Sequence, residues 1–183
     1  MNSPHAIFDT ALIRRHHDRA LKTLSDHNFL IDRAAHALAD RLADVKRDFP
    51  IAILNSPRAS GSAQDAINHT AKTQHIWGWG KHFQADAEFL PFAASSLDLF
   101  ISNFTLHNTN DLPGALIQIR RALKPDGLFI GAMVGGETLF ELRSVLQQAE
   151  MEIKGGISPR VHPFASKQDM GALLQRAGFA LPV

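Results

Sequence analysis

The feature that most constrains the fold is a strand, helix, strand succession within residues 97–134. Leu97–Phe104 (LDLFISNF) is almost continuously apolar, as strands covered on both faces of a parallel sheet are. Asp111 is placed to cap the following helix, and Leu128–Val134 (LFIGAMV) predicts a second buried strand. Strands joined through a helix pair in parallel by right-handed crossovers, so the pattern predicts an open, doubly wound α/β sheet.

The residues before this segment predict helices followed by another strand. Apolar side chains recur at helical spacing over Asn28–Phe49, and a shorter basic helix begins near Asp9, a typical N-cap residue. The apolar run Ile51–Asn55 (IAILN) is too short for a helix and predicts a buried strand. We therefore expect a helical preface over residues 1–49 and one compact α/β unit over residues 50–183.

The other segments predict further helices and strands of the same kind. Residues 60–72 and 75–79 predict a weakly patterned helix and a short strand. Leu139–Ile153 carries apolar residues along one helical face, and a last helix begins at Ser166 with a capping box. Residues 179–183 resemble the opening of one more strand. Strands and helices thus alternate along most of the chain.

Composition excludes several classes of function. The 183 residues include no cysteine, which rules out disulfides, thiolate–metal sites and a cysteine nucleophile. A formal net charge of +1 is too small for the phosphate-backbone binding typical of nucleic-acid proteins. No apolar run approaches the roughly 20 residues that span a bilayer, and the ten histidines form no metal-binding motif. We expect a cytoplasmic protein without a metal site, a membrane span or a nucleic-acid partner.

Doubly wound sheets bind ligands just beyond the carboxyl ends of their strands, where the strand order reverses. Four segments are predicted to follow such strand ends and therefore to form the site. They are Asn55–Gly61, Trp79–Lys81, Asp86–Glu88 and Asn103–Asn108.

These segments resemble class I S-adenosylmethionine (SAM)-dependent methyltransferases. The stretch ADAEFLPFAASSLDLFISNFTLHNTNDLPGALIQIRRALKPDGLFIGAMVGGETL carries the resemblance, and IFDTALIRRHHDRAL and SPRVHPF extend it over almost the whole chain. The chain is most similar to the branch that contains mitochondrial complex I assembly methyltransferase-like proteins and their proteobacterial relatives. The malonyl-carrier-protein methyltransferase of the biotin pathway is a more distant relative.

The resemblance implies a mainly parallel, Rossmann-like methyltransferase sheet with N-terminal helices and with SAM as the cofactor. Asp86 and Ala87 match the motif that receives the adenine, whereas Asn103 lies on the rim beside the methyl group. His107 shares that rim, either as a hydrogen-bonded loop residue or as a base, and no catalytic residue is assigned. The residues implied to contact the cofactor are Asn55, Ser56, Gly61, Trp79, Asp86, Ala87 and Asn103.

Three positions depart from the family pattern. Asn55 stands where an acidic residue is usual, and Pro57 replaces the first glycine of the loop after the first strand. Proline has no N–H to donate, so close backbone approach to a ligand is impaired there. Trp79 stands near the position of the usual ribose-binding carboxylate.

The resemblance implies methyl transfer to a small-molecule or protein acceptor. The departures favour an alternative, a non-catalytic assembly or interaction module with the same fold. A further alternative, which follows only from the family branch, is oxidation of a protein side chain. We expect the final β-hairpin of the family to be missing. A sheet edge left open in this way is a template for pairing with another chain, so we expect a possible homodimer.

Overall fold

The computed structural model describes residues 6–57 and 88–183, and it shows the predicted α/β architecture. The weak helix and short strand predicted within residues 60–79 lie outside the described residues. In chain order the elements are α1 (Thr10–Ala20), α2 (Leu24–His27), α3 (Phe29–Ala43), β1 (Ala52–Asn55), β2 (Leu97–Asn103), a short 3-10 helix (Leu106–Asn108), α4 (Leu112–Ala122), β3 (Leu123–Ala132), α5 (Phe140–Lys154) and α6 (Lys167–Arg176).

The three described strands form a parallel sheet in the order β1, β2, β3. In its register Leu54 of β1 lies opposite Ile101 of β2, and Ile101 lies opposite Ile130 of β3. All residues of β2 are buried, because protein covers both faces of this central strand. The sheet confirms the prediction of a mainly parallel, Rossmann-like fold.

The core of the sheet forms where α3 packs against it. Leu38 and Leu42 of α3 join Phe49, Leu54 and Leu99 in one buried cluster. Burial of each such side chain stabilises the fold by roughly 1.5–3 kcal/mol. On α4, Ala115, Leu116, Ile119 and Ala122 form a buried stripe at helical spacing. Helices of the predicted preface and the sheet therefore share one core.

Side-chain caps define the starts of three helices where the sequence predicts them. The Asp9 carboxylate accepts a hydrogen bond from the Leu12 N–H at 2.9 Å, which caps α1. The Asp111 carboxylate accepts one from the Gly114 N–H at 2.8 Å, which caps α4. Ser166 and Asp169 form the predicted capping box before α6, so local capping chemistry sets all three starts.

Other predicted boundaries need correction. The helix predicted to reach Phe49 ends at Ala43, because Phe49 is buried in the core cluster ahead of β1. The strand predicted from Leu128 begins at Leu123, which pairs with Leu97 across an irregular register. Residues 179–183 form no strand, since Gly178 and Leu181 have positive φ angles of 87° and 49°, outside the extended conformation.

The chain divides into two compact units, Met1–Met133 and Val134–Val183. The first contains the helices α1–α4 and the sheet, and the second contains α5 and α6. The predicted division at residues 49 and 50 stays a prediction. Among the described residues, no helix has both the length and the apolar character to cross a bilayer.

Candidate ligand site at the carboxyl ends of the strands

The structure brings three of the predicted site residues to the carboxyl ends of two neighbouring strands. Asn55 ends β1, where it lies opposite Ser102, and Asn103 ends β2 one residue later. Asn55, Ser56 and Asn103 are 4%, 1% and 1% exposed. The other predicted contacts, Gly61, Trp79, Asp86 and Ala87, lie outside the described residues. The described part of the site is a row of buried polar side chains.

The Asn103 side chain has one satisfied end and one unsatisfied end. Its Nδ2 donates a hydrogen bond to the main-chain carbonyl of Ile31 in α3 at 3.0 Å. Its Oδ1 is buried and accepts no hydrogen bond from the described part of the chain. A buried polar atom left without a partner costs about 1–3 kcal/mol. Such an atom at a strand end points to a ligand that donates a hydrogen bond.

The turn after β2 is held in a strained conformation. Phe104 has a positive φ of 53°, which costs a non-glycine residue roughly 1–2 kcal/mol. Its N–H donates to the Ala132 carbonyl at the end of β3 (2.9 Å), and the Ser102 and Thr105 hydroxyls are hydrogen-bonded at 2.9 Å. The turn leads directly to His107, whose ring meets the Phe104 ring edge-on with centroids 6.5 Å apart. Strain of this kind clusters at functional sites.

The Asn110 side chain holds the N-terminal segment beside this turn, in a contact that the sequence did not predict. The Asn110 side chain accepts from the Phe8 N–H at 2.7 Å and donates to the Phe8 carbonyl at 3.1 Å. One side-chain amide thus satisfies both backbone groups of a residue 102 positions away. The only sequence feature next to Asn110 was the predicted N-cap at Asp111. A cap involves neighbouring residues, so it gave no indication of the contact between Asn110 and Phe8.

Glu88 ties the segment that follows Asp86 to the start of α4. Its carboxylate accepts hydrogen bonds from the N–H groups of Asn110 at 2.6 Å and Asp111 at 3.2 Å. The Gln118 side chain donates to the Glu88 carbonyl at 2.7 Å and accepts from the Leu90 N–H at 3.0 Å. These bonds hold Glu88 in place, two residues after Asp86, the predicted adenine-binding residue.

Among the described residues, the strand ends present neutral hydrogen-bonding side chains. The buried polar side chains there are the amides and hydroxyls of Asn55, Ser56, Ser102 and Asn103. Within residues 6–57 and 88–183, no group of three potential metal ligands comes together. SAM offers an α-ammonium group and an adenine amino group as N–H donors. The described residues therefore fit a ligand of this chemistry, with the amide of Asn55 and the hydroxyl of Ser56 as hydrogen-bonding groups at the end of β1.

The second compact unit contains a separate cluster on the SPRVHPF segment. The Glu150 carboxylate accepts hydrogen bonds from Arg160 and from the Ser158 N–H and hydroxyl. The Arg160 and Ser158 bonds lower the pKa of Glu150 to about 2. Burial lowers the pKa of His162, whose ring stacks on Phe164 at 4.6 Å. A surface cleft of about 310 Å³ is lined by Arg143, Gln147, Ser158, Pro159, Arg160, Val161, Pro163 and Phe164.

Comparison with known proteins identifies the family to which this chain belongs. A model of the methyltransferase domain matches residues 55–131, which start at the end of β1 and finish within β3. The malonyl-[acyl-carrier protein] O-methyltransferase of Methylovorus sp. (strain MP688) is 30% identical over 100% of this chain and 68% of its own length. The chain belongs to the SAM-dependent methyltransferase family.

A second relative is more similar in sequence to this methyltransferase-family chain. The protein named arginine-hydroxylase NDUFAF5, mitochondrial, of Danio rerio is 41% identical over 94% of this chain. The alignment covers 59% of that relative, so this chain spans little more than half its length. The prediction of a cytoplasmic location is wrong on this comparison, because the relative is named as a mitochondrial protein.

A solved methyltransferase structure has the same fold as this family member. The 1,6-didemethyltoxoflavin-N1-methyltransferase of Burkholderia thailandensis, with bound S-adenosylhomocysteine (SAH), superposes with a TM-score of 0.55. The match is 12% identical and covers 98% of this chain and 81% of the other. At this identity, the likeness establishes the fold.

Proposed function

We propose that this chain binds SAM across the carboxyl ends of β1 and β2 and transfers its methyl group to a substrate held beside Asn103. The observation that carries the proposal is the row of buried polar groups at Asn55, Ser56 and Asn103, at neighbouring strand ends inside the matched domain. Ligands of doubly wound sheets bind at this edge. Membership of the methyltransferase family supports the choice of ligand.

In this proposal, the site residues bind and orient. Asn55 and Ser56 would hold the amino-acid end of SAM after β1, where the resemblance implies that Gly61 allows close backbone approach. By the same resemblance, Asp86 and Ala87 would receive the adenine and Trp79 would contact the ribose. The bound cofactor supplies a sulfonium methyl group. Holding two reactants in line can contribute roughly 7–11 kcal/mol to lowering the barrier of such a reaction. The proton that the acceptor loses on methylation passes to solvent, because no catalytic base is assigned.

A second candidate is hydroxylation of an arginine side chain, and sequence similarity favours it. The relative named arginine-hydroxylase is 41% identical to this chain, whereas the relative named O-methyltransferase is 30% identical. A third candidate, a non-catalytic assembly module, is motivated by Pro57 in the loop after β1, where a backbone N–H is lost.

Calorimetric titration of the purified chain with SAM and SAH tests whether the chain binds the cofactor. The mass change of a peptide incubated with the chain and SAM tests which reaction the chain catalyses. Methyl transfer from SAM adds one CH₂ to a peptide and releases SAH, whereas hydroxylation, assayed with O₂ and an added two-electron reductant, adds one oxygen atom. Ser56→Ala is expected to weaken SAH binding several-fold through loss of a buried hydroxyl. Ser144→Ala, on an exposed face of α5, is the matched control. Absence of binding to both SAM and SAH contradicts the enzyme proposal and favours the assembly module.

The proposal includes a homodimer formed along the edge of the sheet. Within the described residues, β3 pairs with β2 on one side only, and several of its residues are half-buried or exposed. An exposed strand edge offers unpaired N–H and carbonyl groups to a second copy. Sedimentation velocity of the purified chain tests this, and a monomer at all concentrations contradicts it.

A further inference from the structure

We infer that Asn103 is a substrate-recognition residue that selects a substrate bearing an N–H donor at the reacting end. The inference rests on the proposed function, because it assumes that a substrate is held at the carboxyl end of β2. Its starting observation is the Asn103 side chain, 1% exposed, with Nδ2 bound to Ile31 and Oδ1 without a partner among the described residues.

The bond to Ile31 determines which group Asn103 offers to a ligand. A side-chain amide can rotate so that either its NH₂ or its oxygen faces a given direction. Here the Ile31 carbonyl, which only accepts hydrogen bonds, holds the NH₂ end at 3.0 Å. Reversing the amide would bring two oxygens together, so the anchor keeps Oδ1 as the group available to a ligand.

The position of Asn103 favours the substrate over the cofactor as the source of the donor. Asn55, after which the cofactor's amino-acid end is proposed to bind, lies opposite Ser102, and Asn103 lies one residue further along the strand. The Asn103 amide is anchored to α3 rather than to the loop after β1. Phe29 and Leu30, directly before Ile31, are 69% and 56% exposed. They provide apolar surface for the part of a substrate that surrounds its polar end.

The chemistry of Oδ1 distinguishes two classes of substrate. Amines, amides and guanidinium groups donate N–H bonds and satisfy a buried oxygen. A carboxylate such as the malonyl group has no proton to donate, so it would leave Oδ1 unsatisfied and bring two oxygens into contact. A site with a buried polar group rejects ligands that cannot pair with it by large factors. Asn103 therefore selects substrates whose reacting end carries a hydrogen-bond donor, such as an N–H group, over carboxylates.

The test measures probe binding as well as cofactor binding. N-acetyl-arginine amide and N-acetyl-glutamate amide are titrated into the full chain, with and without saturating SAH. Wild type is expected to prefer the arginine probe. Asn103→Leu, of similar shape, should weaken that binding on the order of tenfold or more, because it removes a hydrogen bond to a charged donor.

Control measurements separate this inference from the proposed function. In Asn103→Leu, affinity for the arginine probe should fall by a larger factor than SAH affinity, and Gln148→Leu at an exposed position of α5 should change neither affinity. Weaker SAH binding in Asn103→Leu with unchanged probe binding overturns the inference, since Oδ1 then serves the cofactor. Wild type that shows no preference for the arginine probe also overturns it. Failure of wild type to bind SAH, with the Asn103 dependence of the probe intact, defeats the cofactor proposal and leaves the inference standing.

Circular dichroism and thermal unfolding accompany each titration. If Asn103→Leu unfolds, the decision passes to wild type, titrated with N-acetyl-citrulline amide, whose side chain is a neutral N–H donor, and with N-acetyl-norleucine amide, whose side chain has no donor. Equal affinity for these two probes counts against the inference, because Asn103 Oδ1 then does not distinguish an N–H donor from an apolar group.

Discussion

Lys124 on β3 donates hydrogen bonds to both carboxylate oxygens of Asp98 on β2, at 2.9 and 3.0 Å. The same carboxylate accepts the N–H of Ile51, directly before β1, at 3.0 Å. One buried side chain therefore joins the starts of all three described strands. The candidate ligand site lies at their opposite ends, at Asn55 and Asn103. Stability and ligand binding are thus separated along the length of the sheet.

Asp98→Asn is expected to destabilise the protein without changing ligand affinity. The Asp98 side chain is 9% exposed, whereas that of Lys124 is 38% exposed, so the stranded ammonium can still reach water. We expect a loss of about 1–3 kcal/mol in the free energy of unfolding, smaller than for a fully buried pair. Urea unfolding measures this, and SAH titration should show no change.

A double-mutant cycle with Lys124→Met isolates the interaction of the pair. Additive effects of the two substitutions would show that the ion pair contributes nothing beyond the separate side chains. In that case the Ile51 hydrogen bond would account for the role of Asp98.

Asn110→Ala is expected to release the N-terminal segment. The Asn110 amide makes both described side-chain bonds to the Phe8 backbone, and their loss should lower stability on the order of 1–2 kcal/mol. Hydrogen exchange is the direct measurement, because the Phe8 amide should exchange faster. Asn108→Ala, two residues earlier, is the matched control. Equal exchange rates of the Phe8 amide in the two variants would mean that the Asn110 side chain does not hold the segment in place.

Local patterns were sufficient to predict the parallel strands and the helix starts. The apolar run beginning at Leu97 became a strand with every residue buried, and Asp111 caps α4 as predicted. Periodicity and capping depend on neighbours within a few residues, so a sequence displays them directly. The strand ends then placed Asn55 and Asn103 at one edge of the sheet.

Long-range contacts were beyond the same reasoning. The anchoring of Asn103 depends on Ile31, 72 positions earlier, and the early start of β3 depends on Leu97 pairing with Leu123. Neither partner lies on the same local element. For α5, the predicted helix forms, but none of its residues is buried and Ile153 is 82% exposed. Periodicity identifies an apolar face without showing what covers it.

The loop around Ser158 is expected to loosen in acid. Arg160 and Ser158 lower the pKa of Glu150 from 4.5 to about 2, so the folded state holds fewer protons there than the unfolded state. The contribution of Glu150 to stability is complete above about pH 4.5 and is lost as the pH falls towards 2. An NMR titration of the Glu150 carboxyl carbon, with hydrogen exchange at Ser158, follows this loss.

Glu150→Gln should remove most of this pH dependence and leave the Ser158 amide less protected than in wild type at neutral pH. Glu152→Gln, whose carboxylate in wild type accepts from Gln148 on the same helix, is the control for loss of one charge. If the protection factor of Ser158 in the Glu150→Gln variant still falls between pH 4.5 and 2 as in wild type, another group controls the loop.

Pro57→Gly is expected to tighten SAH binding. Pro57 follows Asn55 and Ser56 beyond the end of β1, where the family uses glycine and where a ligand at the carboxyl edge meets the backbone. Glycine restores an N–H donor, and a hydrogen bond contributes about 0.5–1.5 kcal/mol, which corresponds to a gain of roughly two- to tenfold in affinity. Part of this gain is offset by the added freedom of glycine in the unbound loop.

Pro91→Gly, at an exposed loop position, controls for that flexibility. Calorimetric titration with SAH decides the matter: equal affinity in wild type and Pro57→Gly would show that the proline does not impair the loop after β1.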